Sequence, residues 1–346
     1  MNMLNINTLV RPCIARLKPY SCARDEFKGE ARVFVDANEN PFDENKYNRY
    51  PDPLQMAVKQ QIAGLKKVRP TQIMLGNGSD EPIDLIYRIF CEPTVNNAVA
   101  IAPTYGMYGV CADINNVEYR SVNLNDDYSL DASRLLAAVD ANTRVIWLCS
   151  PNNPTGNLLN RSEIKKILVG FNGIVVVDEA YVDFSSEESW LSELSNYPNL
   201  IVLQTFSKAW GMASVRCGMA FASEEIIGYF NKVKYPYNIN KLTQEFVLSR
   251  LQNVELKEKQ TKIILDERPK LVSELEKLSV VEKVYASDAN FLLVRVDNAP
   301  KIYNELAIRG IVVRSRHNIV LCNNCLRITI GTADENKIIV ETLKEL

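Results

Sequence analysis

Between residues 72 and 221, short apolar runs alternate with amphipathic stretches, and this rhythm limits the possible folds more than any other feature of the chain. Residues 72–75, 98–102, 145–149 and 173–177 read as strands, being short and mostly apolar, and the more polar 118–122 takes a strand's place in the same rhythm. Residues 79–91, 105–113, 130–139 and 161–171 read as helices between them. In the first of these, Ile83, Ile86, Tyr87 and Phe90 recur at helical spacing. Such an alternation builds a mostly parallel sheet covered by helices on both faces, so the expected fold class is α/β. Ligands in these folds bind beyond the carboxyl ends of the strands, which directs attention to the polar residues after each apolar run. Three clusters stand there: 150–156, 178–181 and 205–208.

The last cluster belongs to the chemically richest stretch, 200–221, LIVLQTFSKAWGMASVRCGMAF. An apolar run at 200–203 leads into Thr205, Phe206, Ser207 and Lys208, and Arg216 opens a second β-like run, 217–221. A lysine held beside another cation loses its proton more readily, which suits a nucleophilic amine. A strand-to-helix loop with a surface lysine fits the same residues. Asp178 ends a run of Ile and Val, where an unpaired carboxylate is costly and a cationic partner is expected; a helix-capping or loop aspartate is the alternative. In 76–82, GNGSDEP, the glycines permit a tight turn, and Ser79, Asp80 and Pro82 are helix-start residues. A turn of this kind offers free amides and a positive dipole end to an anion. Asp80 and Glu81 oppose that reading unless they point aside or cap the helix.

The flanks read differently. Residues 1–35 form a Pro-interrupted arm expected to pack with the small domain or a partner subunit, 33–41 a short strand entering a polar turn, and 48–53 a loop stiffened by two prolines. A helix is expected over 54–65. The large domain would span 36–240. From 241 long charged helices run to 278, with Pro269 kinking one or starting another. A strand at 290–296, a helix at 301–309 and short segments at 311–314 and 326–330 then suggest a smaller α+β domain, 241–346.

Forty basic residues against 42 acidic ones, with no basic run, argue against a nucleic-acid partner. No apolar run is long enough to span a bilayer, and no signal peptide is visible at the start. Eight scattered cysteines, several inside apolar runs, suit core thiols in a reducing cytoplasm. Cys322 and Cys325 form a lone C-x-x-C, and His317 is the only histidine, so neither a structural metal site nor a role for His317 is expected.

Four motifs, SPNNPTG (150–156), VVVDEAY (175–181), TFSKAWGMASVRCG (205–218) and LRITIG (326–331), make the chain resemble the fold-type I, pyridoxal-phosphate-dependent aminotransferases nearly end to end. The likeness narrows to the histidinol-phosphate aminotransferase family on LKPYSCAR (17–24), NENP (38–41), NRYP (48–51), GNGSDE (76–81) and PTYGMY (103–108). The resemblance implies a Schiff base between Lys208 and pyridoxal 5′-phosphate, with Asp178 paired to the pyridine nitrogen so that the ring acts as an electron sink. It places Asn153 and Tyr181 on the ring 3-oxygen and Tyr105 on the ring face. It gives the cofactor phosphate to the amides of Gly78, Ser79 and Asp80, the hydroxyls of Thr205 and Ser207, and Arg216. Tyr50 would reach that phosphate from the neighbouring subunit of a homodimer.

Arg327 would grip the α-carboxylate of glutamate beside Asn153, for which a planar guanidinium is suited. Tyr20, on the LKPY match, and Arg314, on its place before Arg327, are candidates for the phosphate of histidinol phosphate; Arg314 reads equally as a surface residue. The implied reaction pairs histidinol phosphate with 2-oxoglutarate. The same scaffold serves aromatic aminotransferases and threonine-phosphate decarboxylases. It also serves pyridoxal-phosphate-binding regulators, but these carry a DNA-binding domain for which the arm is too short and too weakly basic.

Overall fold

The computed structural model describes residues 5–21, 27, 29, 31–44 and 46–346. Cys22, Ala23 and Arg24 of the LKPYSCAR stretch lie outside them. Seven strands, β1 (Ile73–Asn77), β2 (Asn97–Ala102), β3 (Glu118–Asn123), β4 (Thr143–Cys149), β5 (Ile174–Asp178), β6 (Leu200–Thr205) and β7 (Cys217–Phe221), form one sheet. Their order is β1-β7-β6-β5-β4-β2-β3. The pairs from β3 through β2, β4 and β5 to β6 are parallel. β7 runs antiparallel to both β6 and β1.

The reversed strand has a local cause. Parallel neighbours need a crossover of a dozen or more residues, usually a helix, to carry the chain back along the sheet. Between Thr205 and Cys217 the chain makes only turns and the short 3-10 segment Ala213–Val215, so it re-enters at the end it left. Thr205 therefore pairs with Gly218, and Asn77 at the end of β1 pairs with Cys217. The carboxyl ends of β1, β5 and β6 and the start of β7 meet on one rim.

Both faces of the sheet are buried, as alternation along β5 shows. Val175 and Val177 join one apolar cluster, while Ile174 and Val176 join the other. Each such side chain, fully withdrawn from water, contributes roughly 1.5–3 kcal/mol against its exposed state. Ile6, Leu9 and Val10 of the arm pack in the second cluster with Ile83, Ile86 and Phe230, and Arg11 bonds Glu92 at 3.2 Å. The front of the arm thus lies on the helices covering the large sheet, not on the smaller one.

A second, antiparallel sheet contains β8 (Val281–Val284), β9 (Phe291–Val296), β10 (Arg314–Ser315) and β11 (Cys325–Thr329) in the order β10-β11-β9-β8. One face buries Leu292, Val294, Leu326 and Ile328 against helices that include Leu271, Leu306 and Val340. Pro269 lies inside a single helix, Val254–Leu275, and so does not start a second one. Residues 33–41 form no strand; Phe34 O accepts from Arg49 Nη1, and Glu39 holds both Arg49 and the Tyr50 amide. β8 and the helices Glu224–Val233 and Ala333–Lys344 join the expected elements. Their caps were readable: Ser223 accepts from the Ile226 amide, and Thr332 and Glu335 form a capping box. No helix among the described residues is long and apolar enough to cross a membrane.

Candidate active site

Asp178 ends β5 and is buried at the rim. Tyr108 Oη donates to its Oδ2 at 2.6 Å, and the Ala180 amide donates to Oδ1 at 3.0 Å. Tyr108 is itself fixed, its ring stacked on Trp147 of β4 at 4.7 Å between centroids. Burial raises the carboxyl pKa of Asp178, while the Tyr108 and Ala180 hydrogen bonds oppose the rise. No basic side chain among the described residues reaches ion-pair distance of it, although a cationic partner was the expectation. The result is an oriented, desolvated carboxylate with unused capacity for one positive charge.

Lys208 follows β6 on the same rim. Its Nζ lies 5.5 Å from the Tyr181 ring centre. Desolvation by the cleft walls and then Arg327 lower its pKa, against the pull of Asp178 and Asp80. Thr205 Oγ1 donates to Ser207 Oγ at 3.0 Å and accepts from the Ser207 amide at 3.0 Å, so both hydroxyls sit in one turn.

Arg216 adopts the left-handed region, φ 54°, which turns its side chain back over Gly78. A Cβ at Gly78 would stand 2.4 Å from Arg216 Nη2, and Gly78 itself has φ +70°, so only glycine fits. The Gly78 amide donates to Arg216 O at 3.0 Å, which leaves Ser79 and Asp80 as the helix-start amides facing the rim. Asp80 does point aside: its carboxylate accepts from Tyr105 Oη at 3.0 Å and lies 3.5 Å from Arg216 Nη2. Glu81 turns the other way, to the Asn77 amide at 2.6 Å.

The opposite wall comes from the small sheet. Arg327 Nη1 donates to Asn153 Oδ1 at 2.5 Å, joining β11 to the loop after β4. Arg314 is paired directly across from Arg327 and is exposed. Tyr181 is buried, and burial raises its phenol pKa. Tyr20 is exposed, and Tyr50 stacks on Tyr237 at 4.5 Å; both stand outside these contacts. Two residues the motifs did not single out belong to the site: Tyr108, through Asp178, and Arg316, whose charge is coupled to Arg327 and Tyr181. Tyr108 closes the PTYGMY stretch, and its proximity to Asp178 rests on the pairing of β2 with β4 and β4 with β5.

The family model for aminotransferase class I and II matches residues 25–343. A histidinol-phosphate aminotransferase of Bacteroides thetaiotaomicron is 56% identical over 344 residues, covering 99% of each chain. The chain belongs to the histidinol-phosphate aminotransferases.

The crystal structure of the histidinol-phosphate aminotransferase from Clostridium acetobutylicum matches with TM-score 0.80 at 25% identity, over 87% of this chain and 91% of that one. The enzyme from Sinorhizobium meliloti, solved in complex with pyridoxal-5′-phosphate, shares the fold with TM-score 0.78 at 21% identity, over 89% of each chain. This histidinol-phosphate aminotransferase is a fold-type I, pyridoxal-phosphate-dependent transaminase. Its own residues fit that cofactor: a desolvated carboxylate suits a protonated ring nitrogen, a depressed lysine suits an aldehyde, and two hydroxyls, two amides and an arginine suit a phosphate. His317 is half-buried, and its Nδ1 accepts from the Asn324 amide at 3.1 Å.

Proposed function

We propose that this enzyme moves the amino group of L-histidinol phosphate to 2-oxoglutarate, forming 3-(imidazol-4-yl)-2-oxopropyl phosphate and L-glutamate in histidine biosynthesis. Pyridoxal phosphate supplies, when bound, an aldehyde that takes up the amino group and a ring that stores the electrons left on Cα. Asp178 holds the proton on the ring nitrogen, oriented by Tyr108 and the Ala180 amide. Lys208 would hold the cofactor's aldehyde carbon and would move the proton at the substrate Cα, a task its lowered pKa favours.

Asn153 and Tyr181 hold the ring oxygen, and Tyr105 covers the ring. Thr205, Ser207, Arg216 and the amides of Ser79 and Asp80 hold the phosphate. Arg327, already oriented by Asn153, takes the α-carboxylate of glutamate, and Tyr20 and Arg314 contact the substrate phosphate. The single observation that carries the reading is Asp178: a buried, aimed carboxylate with no cation of its own beside a lysine of depressed pKa.

The test is incubation of the purified holoenzyme with L-histidinol phosphate and 2-oxoglutarate, with L-glutamate measured. Release of CO₂ from L-threonine phosphate without glutamate formation would overturn the reading in favour of a decarboxylase. Aromatic amino acids as the better donors would replace the substrate but keep the chemistry.

Tyr50 is proposed to complete the cofactor site of a second copy. Support comes from the exposed Phe42, Tyr47, Tyr50, Leu242 and Phe246 and from a nearby cavity of about 510 Å³ lined by Asn38, Tyr50, Tyr237 and Lys241. If sites are shared across a two-fold axis, inactive Lys208→Ala and weakened Tyr50→Ala chains should recover about a quarter of wild-type activity when re-associated, because half the dimers then contain one intact site. No recovery would refute a shared site. The division into an arm, 1–35, a large domain, 36–240, and a small domain, 241–346, is proposed on the separate apolar cluster of the small sheet. Free thiols among the described cysteines support a cytoplasmic setting.

A further inference from the structure

Arg316 follows β10, and its amide donates to Cys325 O at 2.8 Å, so the β10–β11 pairing continues through it. Side chains alternate along a strand, and directly paired residues share a face. Arg314 is paired with Arg327, and Arg316 lies two residues beyond Arg314, so all three guanidinium groups issue from one face of the small sheet. The other face, with Leu326 and Ile328, is the apolar core. The groups that act most strongly on Arg316 are Arg327, Arg314, Cys322 and Tyr181, and none of these is a carboxylate.

Arg316 is half-buried, and its Nε is buried without a hydrogen-bond partner. Burial, then Arg327 and Arg314, push its pKa down to about 10. None of the three arginines forms an ion pair among the described residues. A guanidinium withdrawn from water, pressed by two like charges and holding an idle N–H, is costly unless an anion arrives.

We infer that Arg316 is a specificity-determining residue that binds the phosphate group of the phosphorylated amino donor, from deeper in the cleft than the exposed Arg314. The inference rests on the proposed substrate reading. Arg327 accounts for one carboxylate of glutamate. A phosphate monoester carries roughly −1.5 to −2 charges at pH 7, enough to match the two guanidinium groups that remain. The fork of a guanidinium also suits two phosphate oxygens at once, which an ammonium cannot match.

The experiment compares wild-type holoenzyme with Arg316→Gln and Arg316→Lys, using L-histidinol phosphate, unphosphorylated L-histidinol and L-glutamate as donors. Inorganic phosphate serves as a competitor against L-histidinol. For Arg316→Gln, the KM for L-histidinol phosphate should rise about tenfold or more with kcat nearly unchanged, the scale of a lost charged hydrogen bond. The inhibition constant of inorganic phosphate should rise in parallel, while kcat/KM for L-histidinol and L-glutamate stays within about threefold. Arg316→Lys should fall between.

Equal losses with all three donors would overturn the inference, because Arg316 would then act only by supporting Arg327 or the sheet. An unchanged KM for the phosphorylated donor would overturn it as well. Should the variants not fold, phenylglyoxal labelling of wild-type holoenzyme, mapped by mass spectrometry, decides the matter. Protection of Arg316 by L-histidinol phosphate but not by L-histidinol supports the inference, and equal protection refutes it. Failure of the wild-type enzyme itself to form glutamate from L-histidinol phosphate and 2-oxoglutarate would instead mark failure of the substrate reading.

Discussion

The rim of the large sheet and the arginine face of the small sheet confront each other across the cleft with different electrostatics. On the rim, each cation has a carboxylate near it: Lys208 feels Asp178 and Asp80, and Arg216 lies against Asp80. On the small sheet Arg314, Arg316 and Arg327 repel one another, and among the described residues no carboxylate forms an ion pair with them. A matched pole can hold a resident group tightly and tune its proton affinities. An unmatched pole is suited to anions that come and go with each half-reaction, because every anion bound relieves repulsion that returns when it leaves. On the proposed assignment of these residues, the difference would let one cleft separate cofactor chemistry from substrate selection by where it leaves charge uncompensated.

That contrast can be broken from either side. The largest effect should come from Asp178→Asn, which removes the buried carboxylate proposed to pair with the ring nitrogen; kcat should fall on the order of 10³-fold, about 4 kcal/mol of barrier. The apoprotein should lose no stability, since a buried charge without an ion pair has been removed. A variant that kept most of its kcat would show that the rim does not depend on its buried carboxylate.

Arg327→Lys comes next. It keeps the charge and loses the fork, so kcat/KM with L-glutamate should drop roughly 10- to 100-fold, the scale of a charged hydrogen bond. Steady-state kinetics with each donor would check this, and an equal loss of cofactor affinity would blur the distinction between the two poles.

Tyr108→Phe should lower kcat about tenfold and leave KM values nearly unchanged. Its hydroxyl favours the ionised form of Asp178, so removing it lifts a pKa that burial has already raised. The protonated carboxyl then persists to higher pH, and the acid limb of the kcat profile should move upward. A purely structural role for Tyr108 would leave that limb in place.

The smallest effect should be that of salt. Raising ionic strength from about 0.05 to 0.5 M shortens the screening length to a few ångströms, so kcat/KM for the phosphorylated donor should fall a few-fold. The kcat at saturation, which depends on buried Asp178, should hold. Equal sensitivity of both parameters would erase the comparison.

Much of the cleft was legible along the chain. The alternation of apolar runs located most strands of the large sheet, and Asp178 stands at the end of β5 and Lys208 just after β6. Sequence motifs also pointed to Asn153, Arg216 and Arg327. Tyr108 and Arg316 were not legible. Tyr108 is one aromatic among many until the stacking on Trp147 aims its hydroxyl at a carboxylate 70 residues away. Arg316 is one charge in a polar loop until the pairing of β10 with β11 places it on the face that carries Arg327. The Gly78 amide shows the converse limit, because a motif marks a turn without saying which of its donors a neighbouring carbonyl has already taken.

By itself, then, the sequence determined the strands of the large sheet before residue 221 and most helices between them, and which polar residues stand at strand ends, because periodicity and capping are local properties. Only the tertiary structure decided that β7 runs backwards, that Arg216 folds over Gly78, and that Arg327 meets Asn153 across 174 positions. Strand direction, register and the face a side chain occupies come from pairings between distant segments, and no local pattern carries that information.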